Sequence, residues 1–426
     1  MTSEIAIMNQ RALVFAADSA TTVSYVLANG KRTTRYFKGA NKLFQLSTAH
    51  PVGLMIYGSA SLHGIPWEIV IREFRRGLGT DSCATVAAYA TRFFEFVRTN
   101  DALFPEGLRV SALTDAAVGA AVQAWTQATN EVSALARRKR RTALGKIVDG
   151  MLVGWRARNV APPLVALDIA AGVADYLDDV SQQLMETAAS LMEGADAILI
   201  PQLAEIGLQA AMKRCKEFLN STGIVIGGYG ETEFFPSFEE FECLGFLGPH
   251  FVVNRGRAET VSRENIACIE SFAVATMIHT FRMGFDPETF ESVSRATSKA
   301  LRELAGRVRD TLSPDANVPN LDGLIAAIAA AHKRDWYSDS IRAHYLPLIR
   351  SIGSLPVTDL AALAKTLVEL ESLKERVTRE SESIAGPIDV AAISKHDGFI
   401  WMSRKHYFKS ELNPRFLIRQ RKGHGD

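Results

Sequence analysis

Short apolar runs separated by polar turns dominate the start of the chain. Residues 4–8 and 12–17 are rich in Ile, Leu, Val and Phe, and a polar turn at 9–11 separates them. This pattern predicts a hairpin of two buried strands. The apolar runs at 42–46 and 52–57 predict a second pair of strands.

Helical patterns follow these strands. Apolar residues from Trp67 to Phe74 recur at helical spacing, which predicts one helix there and a second at 82–98. Between residues 104 and 219, Ala, Leu, Val, Arg and Gln dominate without strand patterns, so we expect a block of several helices. The remaining chain predicts strands at 222–228, 245–251, 259–262, 387–394 and 398–404, helices at 271–283, from 286, at 321–332 and at 360–382, and a loop at 313–320.

Composition and charge are those of an ordinary globular protein. Hydrophobic residues make up 47% and charged residues 22% of the 426 residues, which argues against a disordered or fibrous chain. The 48 Lys and Arg residues nearly balance the 47 Asp and Glu residues, so the formal charge is only +1. Without a broad positive field, nucleic acid is not expected as a partner. The basic run at 137–141 is expected to be a solvated segment.

Cysteine spacing and the length of apolar runs exclude other classes of protein. Cys83, Cys215, Cys243 and Cys268 lie far apart and form no CxxC pair, which is typical of free thiols rather than zinc sites or disulfides. No apolar run approaches the roughly 18 residues of a membrane helix. The first residues show no secretion signal. We therefore expect a cytoplasmic protein that uses no metal, no cofactor and no membrane.

The first strands bring together the most informative polar residues. An initiator methionine is usually removed when the second residue is small, which would make Thr2 the mature N-terminus. The strands of the predicted hairpin run out and back by about 3.3 Å per residue, so their outer ends meet. Thr2 precedes the first strand and Asp18 follows the second. We therefore expect these two residues to be neighbours.

An N-terminal threonine can supply both a nucleophile and a base. Its hydroxyl is the nucleophile, and its α-amine, with an ordinary pKa of about 7.7–8.0, can accept the hydroxyl proton. A nearby lysine would hold both pKa values down, and a carboxylate would hold that lysine in place. Asp18 suits the carboxylate, and Lys42, at the head of the third apolar run, suits the lysine. Backbone N–H groups at 55–59, where the fourth run ends, could stabilise an oxyanion.

At these residues the chain resembles the proteasome β-type family, including bacterial HslV-type subunits, within the N-terminal-nucleophile (Ntn) hydrolases. The matching segments are Thr2, Ala16-Ala17-Asp18-Ser19, Asn41-Lys42-Leu43-Phe44, Gly53-Leu54-Met55, Gly58-Ser59-Ala60, residues 223–230, Ser271-Phe272-Ala273, residues 385–390 and Asp397-Gly398. The resemblance implies one α+β domain over residues 1–426, a four-layer αββα Ntn-hydrolase sandwich of two antiparallel sheets with helical insertions. Its core would comprise about 2–98, 222–305 and 366–408, with insertions at about 104–219 and 307–357 and a tail at 409–426.

The resemblance also assigns roles to single residues. Thr2 falls at the position of the nucleophile, and Asp18 and Lys42 fall at those of its charged partners. The backbone amide of Tyr57 or Gly58 falls at the oxyanion position, where the family usually has two adjacent glycines. Tyr57 is therefore expected to narrow the substrate pocket. Candidates for supporting roles are Ser19 and Cys268, the latter standing roughly where the family has a serine.

The function that these residues predict is proteasome-like cleavage of peptide or other amide bonds, with Thr2 acting after removal of Met1. The resemblance implies a peptide or protein substrate and a homo-oligomer, and it leaves open whether an ATP-dependent unfoldase is a further partner. Two alternatives remain at this point. The same fold could serve as a non-catalytic scaffold or assembly protein, or it could be an Ntn-class amidase for a small molecule.

Overall fold

A computed structural model of the protein describes residues 3–26, 32–160, 168–192, 197–311, 321–378 and 386–406, and from there to the end only 408–409, 412–415 and 418. Helices account for 56% and strands for 21% of the residues. The prediction of a mixed protein with antiparallel sheets is confirmed. In the described part of the chain, no helix is long and apolar enough to cross a membrane.

The strands and helices are numbered along the chain. The strands are β1 (Ser3–Asn9), β2 (Leu13–Ala17), β3 (Ala20–Val26), β4 (Arg32–Lys38), β5 (Leu43–Gln45), β6 (Val52–Gly58), β7 (Ser61–Leu62), β8 (Ile65–Pro66), β9 (Thr222–Gly228), β10 (Ser237–Leu247), β11 (His250–Thr260), β12 (Ala267–Ala273), β13 (Asp389–Ser394) and β14 (Gly398–Ser403). The helices are α1 (Trp67–Leu78), α2 (Val86–Thr99), α3 (Glu106–Glu131), α4 (Arg137–Ala157), α5 (Ile169–Leu191), α6 (Ile200–Lys213), α7 (Cys215–Phe218), α8 (Thr276–Met283), α9 (Pro287–Thr311), α10 (Leu321–Ser340), α11 (Leu346–Ser354) and α12 (Val357–Thr378).

The first sheet, sheet I, has the order β12-β1-β2-β13-β14 and is antiparallel throughout. The predicted hairpin at the start of the chain is confirmed, with Glu4 opposite Ala17. Its turn contains no glycine because the Asn9 side chain closes it. Asn9 Oδ1 accepts hydrogen bonds from the backbone N–H groups of Arg11, at 2.9 Å, and Ala12, at 3.3 Å. Such local bonds are the reason why asparagine is common in turns.

The second sheet, sheet II, has the order β11-β10-β9-β6-β5 and is also antiparallel. Its face toward sheet I contains glycines at points of close approach. A Cβ on Gly53 would lie 2.7 Å from the Ile393 side chain, and one on Gly227 would lie 2.5 Å from Leu13. Glycine inside a strand marks such an approach, and here it lets sheet I lie close to sheet II.

Alternation along the strands places one apolar cluster between the sheets and another on each outer face. Met8 and Phe15 of sheet I pack with Met55 and Phe238 of sheet II. The outer face of sheet I packs on α8, α11 and α12, and that of sheet II packs on α1 and α2. Helices, sheet I, sheet II and helices therefore follow one another. Among the apolar residues facing the outer helices are Ile5, Ile7 and Val14 in sheet I and Leu54, Ile56 and Ile226 in sheet II.

Two groups of helices lie outside these layers. Helices α3 to α7 occupy the predicted helical block. They bury Trp125 and Leu203 in a core that also includes Leu244 and Leu247 of β10. Helices α9 and α10 pack against one another, and a cluster of Phe285, Phe290 and Trp336 joins them.

The structure corrects three sequence predictions. The prediction of one strand over 245–251 is wrong, because Gly248, with φ of 58°, turns the chain between β10 and β11. The helix predicted from residue 271 begins only at Thr276, and β12 occupies the segment before it. The pair β3–β4 was not predicted, because its residues are mostly polar and it forms a separate two-stranded sheet. The loop predicted at 313–320 lies outside the described residues.

Candidate active site

A buried ion cluster lies at the end of the first hairpin. Lys42 Nζ lies 2.5 Å from Asp18 Oδ1 and 3.0 Å from Glu4 Oε1. The Lys42 side chain is 6% exposed, and both carboxylate side chains are 0% exposed. Because burial removes the hydration of each charge, such groups persist only when they are paired. The cluster therefore fixes β1, the end of β2 and the segment before β5 relative to one another.

Asp18 organises the backbone around this cluster. Its Oδ1 accepts a hydrogen bond from Ser3 N at 3.1 Å, and its Oδ2 accepts one from Ala20 N at 3.0 Å. The Asp18 N–H in turn donates to the Ser3 carbonyl at 3.2 Å. A short carboxylate at a strand end can reach backbone N–H groups in this way. Ser3, the first described residue of the chain, therefore both donates a hydrogen bond to Asp18 and accepts one from it.

Thr2, the candidate nucleophile, lies outside the described residues. Its neighbour in the chain, Ser3, is the residue that exchanges backbone bonds with Asp18. The structure brings Asp18 and Lys42 together at the residue that directly follows Thr2.

The end of β6 forms the other wall of the site. Gly58 has φ of 79°, and a Cβ there would lie 2.8 Å from the Ser221 carbonyl oxygen. Both the backbone angle and the lack of space require glycine at this position. The preceding Ile56 N–H donates to the Lys42 carbonyl at 2.9 Å, which ties β6 to the lysine.

Tyr57 is held by its ring and by its hydroxyl. The ring lies over Gly223, where a Cβ would collide with it, and it stacks on Phe272 with 5.9 Å between ring centroids. The hydroxyl donates to Glu240 Oε1 at 2.5 Å. Burial, followed by the hydrogen bond to Glu240, raises the pKa of Tyr57 well above its ordinary value. Tyr57 therefore stays neutral and anchors the end of β6.

A small cavity of about 100 Å³ joins these elements. Lys42 lies on one wall, and the backbone from Ile56 to Ala60 lies on the other. The residues between β2 and β5 complete it, with the small side chains Ala20 and Ala40. A buried cation and the exposed Gly58 backbone therefore line one space. Such a space suits a reaction in which negative charge develops on a carbonyl oxygen.

The two supporting candidates lie in different places. Ser19 adjoins Asp18, but its Oγ donates to the Pro387 carbonyl and so holds the segment before β13. Cys268 pairs with Met8, four residues along β12 from the residue opposite Glu4, or roughly 13 Å at the rise of a strand. Burial raises the pKa of the Cys268 thiol. The structure does not bring Cys268 to the ion cluster.

Sequence reasoning missed Glu4 and the carboxylate behind Tyr57. Glu4 is a charged residue inside an otherwise apolar strand, and a buried charge requires a partner, so the pattern did hold a signal. Glu240 accepts from Arg257 Nε at 2.7 Å as well as from Tyr57. Burial alone would raise the pKa of Glu240, but the bonds from Arg257 and Tyr57 outweigh it and lower the pKa. Arg257 also covers the Phe272 ring, with 4.8 Å from its Cζ to the centroid.

A scan of the chain against protein-family models found no match, and a search among curated proteins found no similar sequence. The residues and their geometry are therefore the basis for assigning a function.

Proposed function

We propose that this chain is an N-terminal-threonine hydrolase of the proteasome-like Ntn type, which cleaves peptide or other amide bonds. Thr2 is the nucleophile, and the mature chain must begin there. The observation that carries the proposal is the buried Asp18–Lys42 pair, which is bonded to Ser3, the residue that follows Thr2.

The order of layers supports the fold that the resemblance implies. Two antiparallel sheets share an apolar cluster, and helices cover both outer faces. This order is the one that a four-layer αββα sandwich requires, and α3–α7, α9 and α10 would then be insertions into it. Fold alone does not imply an activity, so the ion cluster and the adjoining cavity carry the functional argument.

The reaction begins with attack of the Thr2 hydroxyl on the substrate carbonyl carbon. The hydroxyl proton passes to the Thr2 α-amine, and a bond forms between the threonine oxygen and the carbonyl carbon. The resulting oxyanion is stabilised by backbone N–H donors at Tyr57 or Gly58. When the C–N bond breaks, the leaving amine takes the proton back from the α-ammonium. Water then attacks the acyl ester by the same route and restores the free threonine.

Lys42 assists these reaction steps through its positive charge. A cation close to the α-amine disfavours a second positive charge there, so the amine stays free to accept the hydroxyl proton. Asp18 and Glu4 keep the Lys42 ammonium in place at 2.5 and 3.0 Å. We regard both carboxylates as positioning residues for the lysine.

A peptide epoxyketone tests the nucleophile directly, because it reacts with an α-amine and a hydroxyl of the same residue. We expect intact mass spectrometry to show a chain that begins at Thr2 and gains one inhibitor. Thr2→Ala should abolish labelling and amide hydrolysis. The control is Thr91→Ala on the exposed face of α2, where the hydroxyl donates to the Ala87 carbonyl.

Two results would refute the proposal. One is hydrolysis by Thr2→Ala at the wild-type rate, and the other is an active chain that retains Met1. Panels of peptides and of small amides then separate a protease from a small-molecule amidase. A chain that begins at Thr2 but neither reacts with the inhibitor nor hydrolyses any amide would favour the scaffold alternative.

A further inference from the structure

A second cavity, of about 260 Å³, adjoins the candidate active site. Ser59 lines both cavities. The segment that follows β6, including His63, forms one wall of the second cavity, and Asp115 of α3 lies on the other. The cavity therefore lies between the strand that carries the proposed oxyanion donors and the helical block that begins with α3.

His63 occupies a strained position on this wall. Its φ of 47° is rare for any residue but glycine, and such a conformation costs about 1–3 kcal/mol. Its ring lies against Gly245, which has φ of 90° at a bulge in β10 and where a Cβ would collide with the ring. The backbone N–H of Phe246 donates to His63 Nε2 at 2.7 Å. Three features of the fold thus hold one imidazole in place.

The hydrogen bond from Phe246 fixes where the His63 proton lies. Nε2 accepts, so it carries no proton, and burial lowers the pKa of His63, which keeps the ring neutral. A neutral imidazole with an accepting Nε2 has its proton on Nδ1. Within the described part of the chain, no group accepts a hydrogen bond from Nδ1. His63 therefore presents one available donor.

Asp115 supplies the complementary acceptor. Its Oδ1 accepts from Gln183 Nε2 at 2.8 Å, and the carboxylate has further lone pairs. Leu62, Leu219 and Leu244 form apolar parts of the lining. His63 and Asp115 offer one donor and one anionic acceptor to this cavity, which Ser59, Ser61 and Asn220 also line. Such a pair matches a neutral group that both accepts and donates. A carboxamide is such a group.

We propose that this cavity binds a carboxamide side chain of the substrate, glutamine or asparagine. His63 Nδ1 donates to the carboxamide oxygen, and Asp115 accepts from its nitrogen. The inference rests on the proposed amide hydrolysis, since the side chain belongs to the peptide that is cut. A carboxylate in its place would face the Asp115 carboxylate, and an alkyl group would offer neither an acceptor to His63 nor a donor to Asp115.

Blocked tetrapeptide coumarylamides test the specificity. Glutamine, glutamate and leucine are placed in turn at each of the three positions before the residue that carries the coumarin. At one position, we expect KM for the glutamine peptide to be about tenfold lower than for the other two, as a lost hydrogen bond to a built site predicts. Equal KM values across all three series would overturn the proposal.

Variants identify the two groups. His63→Phe should remove the preference for glutamine over leucine, while His63→Asn, which tolerates positive φ and keeps a donor, should retain part of it. Asp115→Asn should reduce the preference for glutamine over glutamate. The matched control is Asp149→Asn, because Asp149 is also exposed and accepts from a glutamine, Gln202, at 2.7 Å, away from the cavity. An unchanged preference in both His63→Phe and Asp115→Asn contradicts the assignment.

Binding without turnover separates this inference from the proposed function. The blocked glutamine tetrapeptide amide is titrated into Thr2→Ala labelled with ¹⁵N-histidine, and the His63 signals are assigned by their loss in His63→Phe. We expect the His63 Nδ1–H signal to shift with glutamine peptide and not with leucine peptide. If no substrate is hydrolysed, the proposed function fails, whereas an unmoved His63 signal refutes the carboxamide site itself.

Discussion

Replacement of Lys42 by methionine tests the ion cluster on which the proposed site depends. Methionine keeps most of the side-chain length but removes the charge between Asp18 and Glu4, whose oxygens lie 2.5 and 3.0 Å from Lys42 Nζ. At an effective dielectric constant of about 20, opposite charges 3 Å apart attract by about 5–6 kcal/mol before desolvation is counted. Removal of one partner from a buried pair destabilises by about 3–5 kcal/mol. We expect Lys42→Met to lower the free energy of unfolding by an amount in that range.

Guanidinium unfolding at pH 7, followed by tryptophan fluorescence, measures the effect as a shift of the midpoint. The control is Lys333→Met, because Lys333 lies 2.6 Å from Glu291 in a pair that is about half exposed. Exposed pairs contribute about 0–1 kcal/mol, so the control should change little. The additional substitutions Glu4→Gln and Asp18→Asn should recover part of the loss in Lys42→Met, since they remove the buried negative charges. If Lys42→Met and the control lose equal stability, the buried cluster is not the structural centre that we describe.

Three further outcomes follow from the structure. Burial raises the pKa of Tyr57, so the stability that this residue contributes is present below a pH of about 10 and is lost at higher pH. The difference in unfolding free energy between wild type and Tyr57→Phe should therefore shrink above that pH. Gly58→Ala should destabilise by about 2–3 kcal/mol in thermal unfolding, and Gly64→Ala, with φ of 82° but open space, by only about 1 kcal/mol. A thiol reagent should label Cys83 in the native protein and all four cysteines after denaturation.

Elements with a regular pattern of apolar residues and a recognisable end could be predicted from the sequence. Both strands of the first hairpin, strand β9 and helices α1 and α2 occur where the pattern placed them. The strands are short, nearly continuous apolar runs, and the helices carry apolar residues at helical spacing. The local pattern alone therefore determines these elements. The first hairpin could be predicted even without a turn glycine because Asn9 closes the turn by its own side chain.

The sequence was less informative where tertiary pairing decides the structure. Strand β12 has the residues of a buried strand, but its role depends on pairing with β1, which lies far from it in the chain. Glu4 illustrates the same limit for the site. Its position in an apolar strand was visible, yet its partner lies beyond the hairpin β3–β4, and spacing gave no means of pairing Glu4 with Lys42.

The hairpin β3–β4 explains how the cluster forms although Asp18 and Lys42 are well separated in the chain. Ala20 pairs with Lys38 at the base of the hairpin, and the Ala40 N–H donates to the Ser19 carbonyl at 3.1 Å. The chain therefore leaves next to Asp18 and returns to the same place. Two residues later Lys42 contacts the carboxylate. Since the excursion is closed at its base, its length does not affect the contact, which is why element order is a better guide to this site than residue spacing.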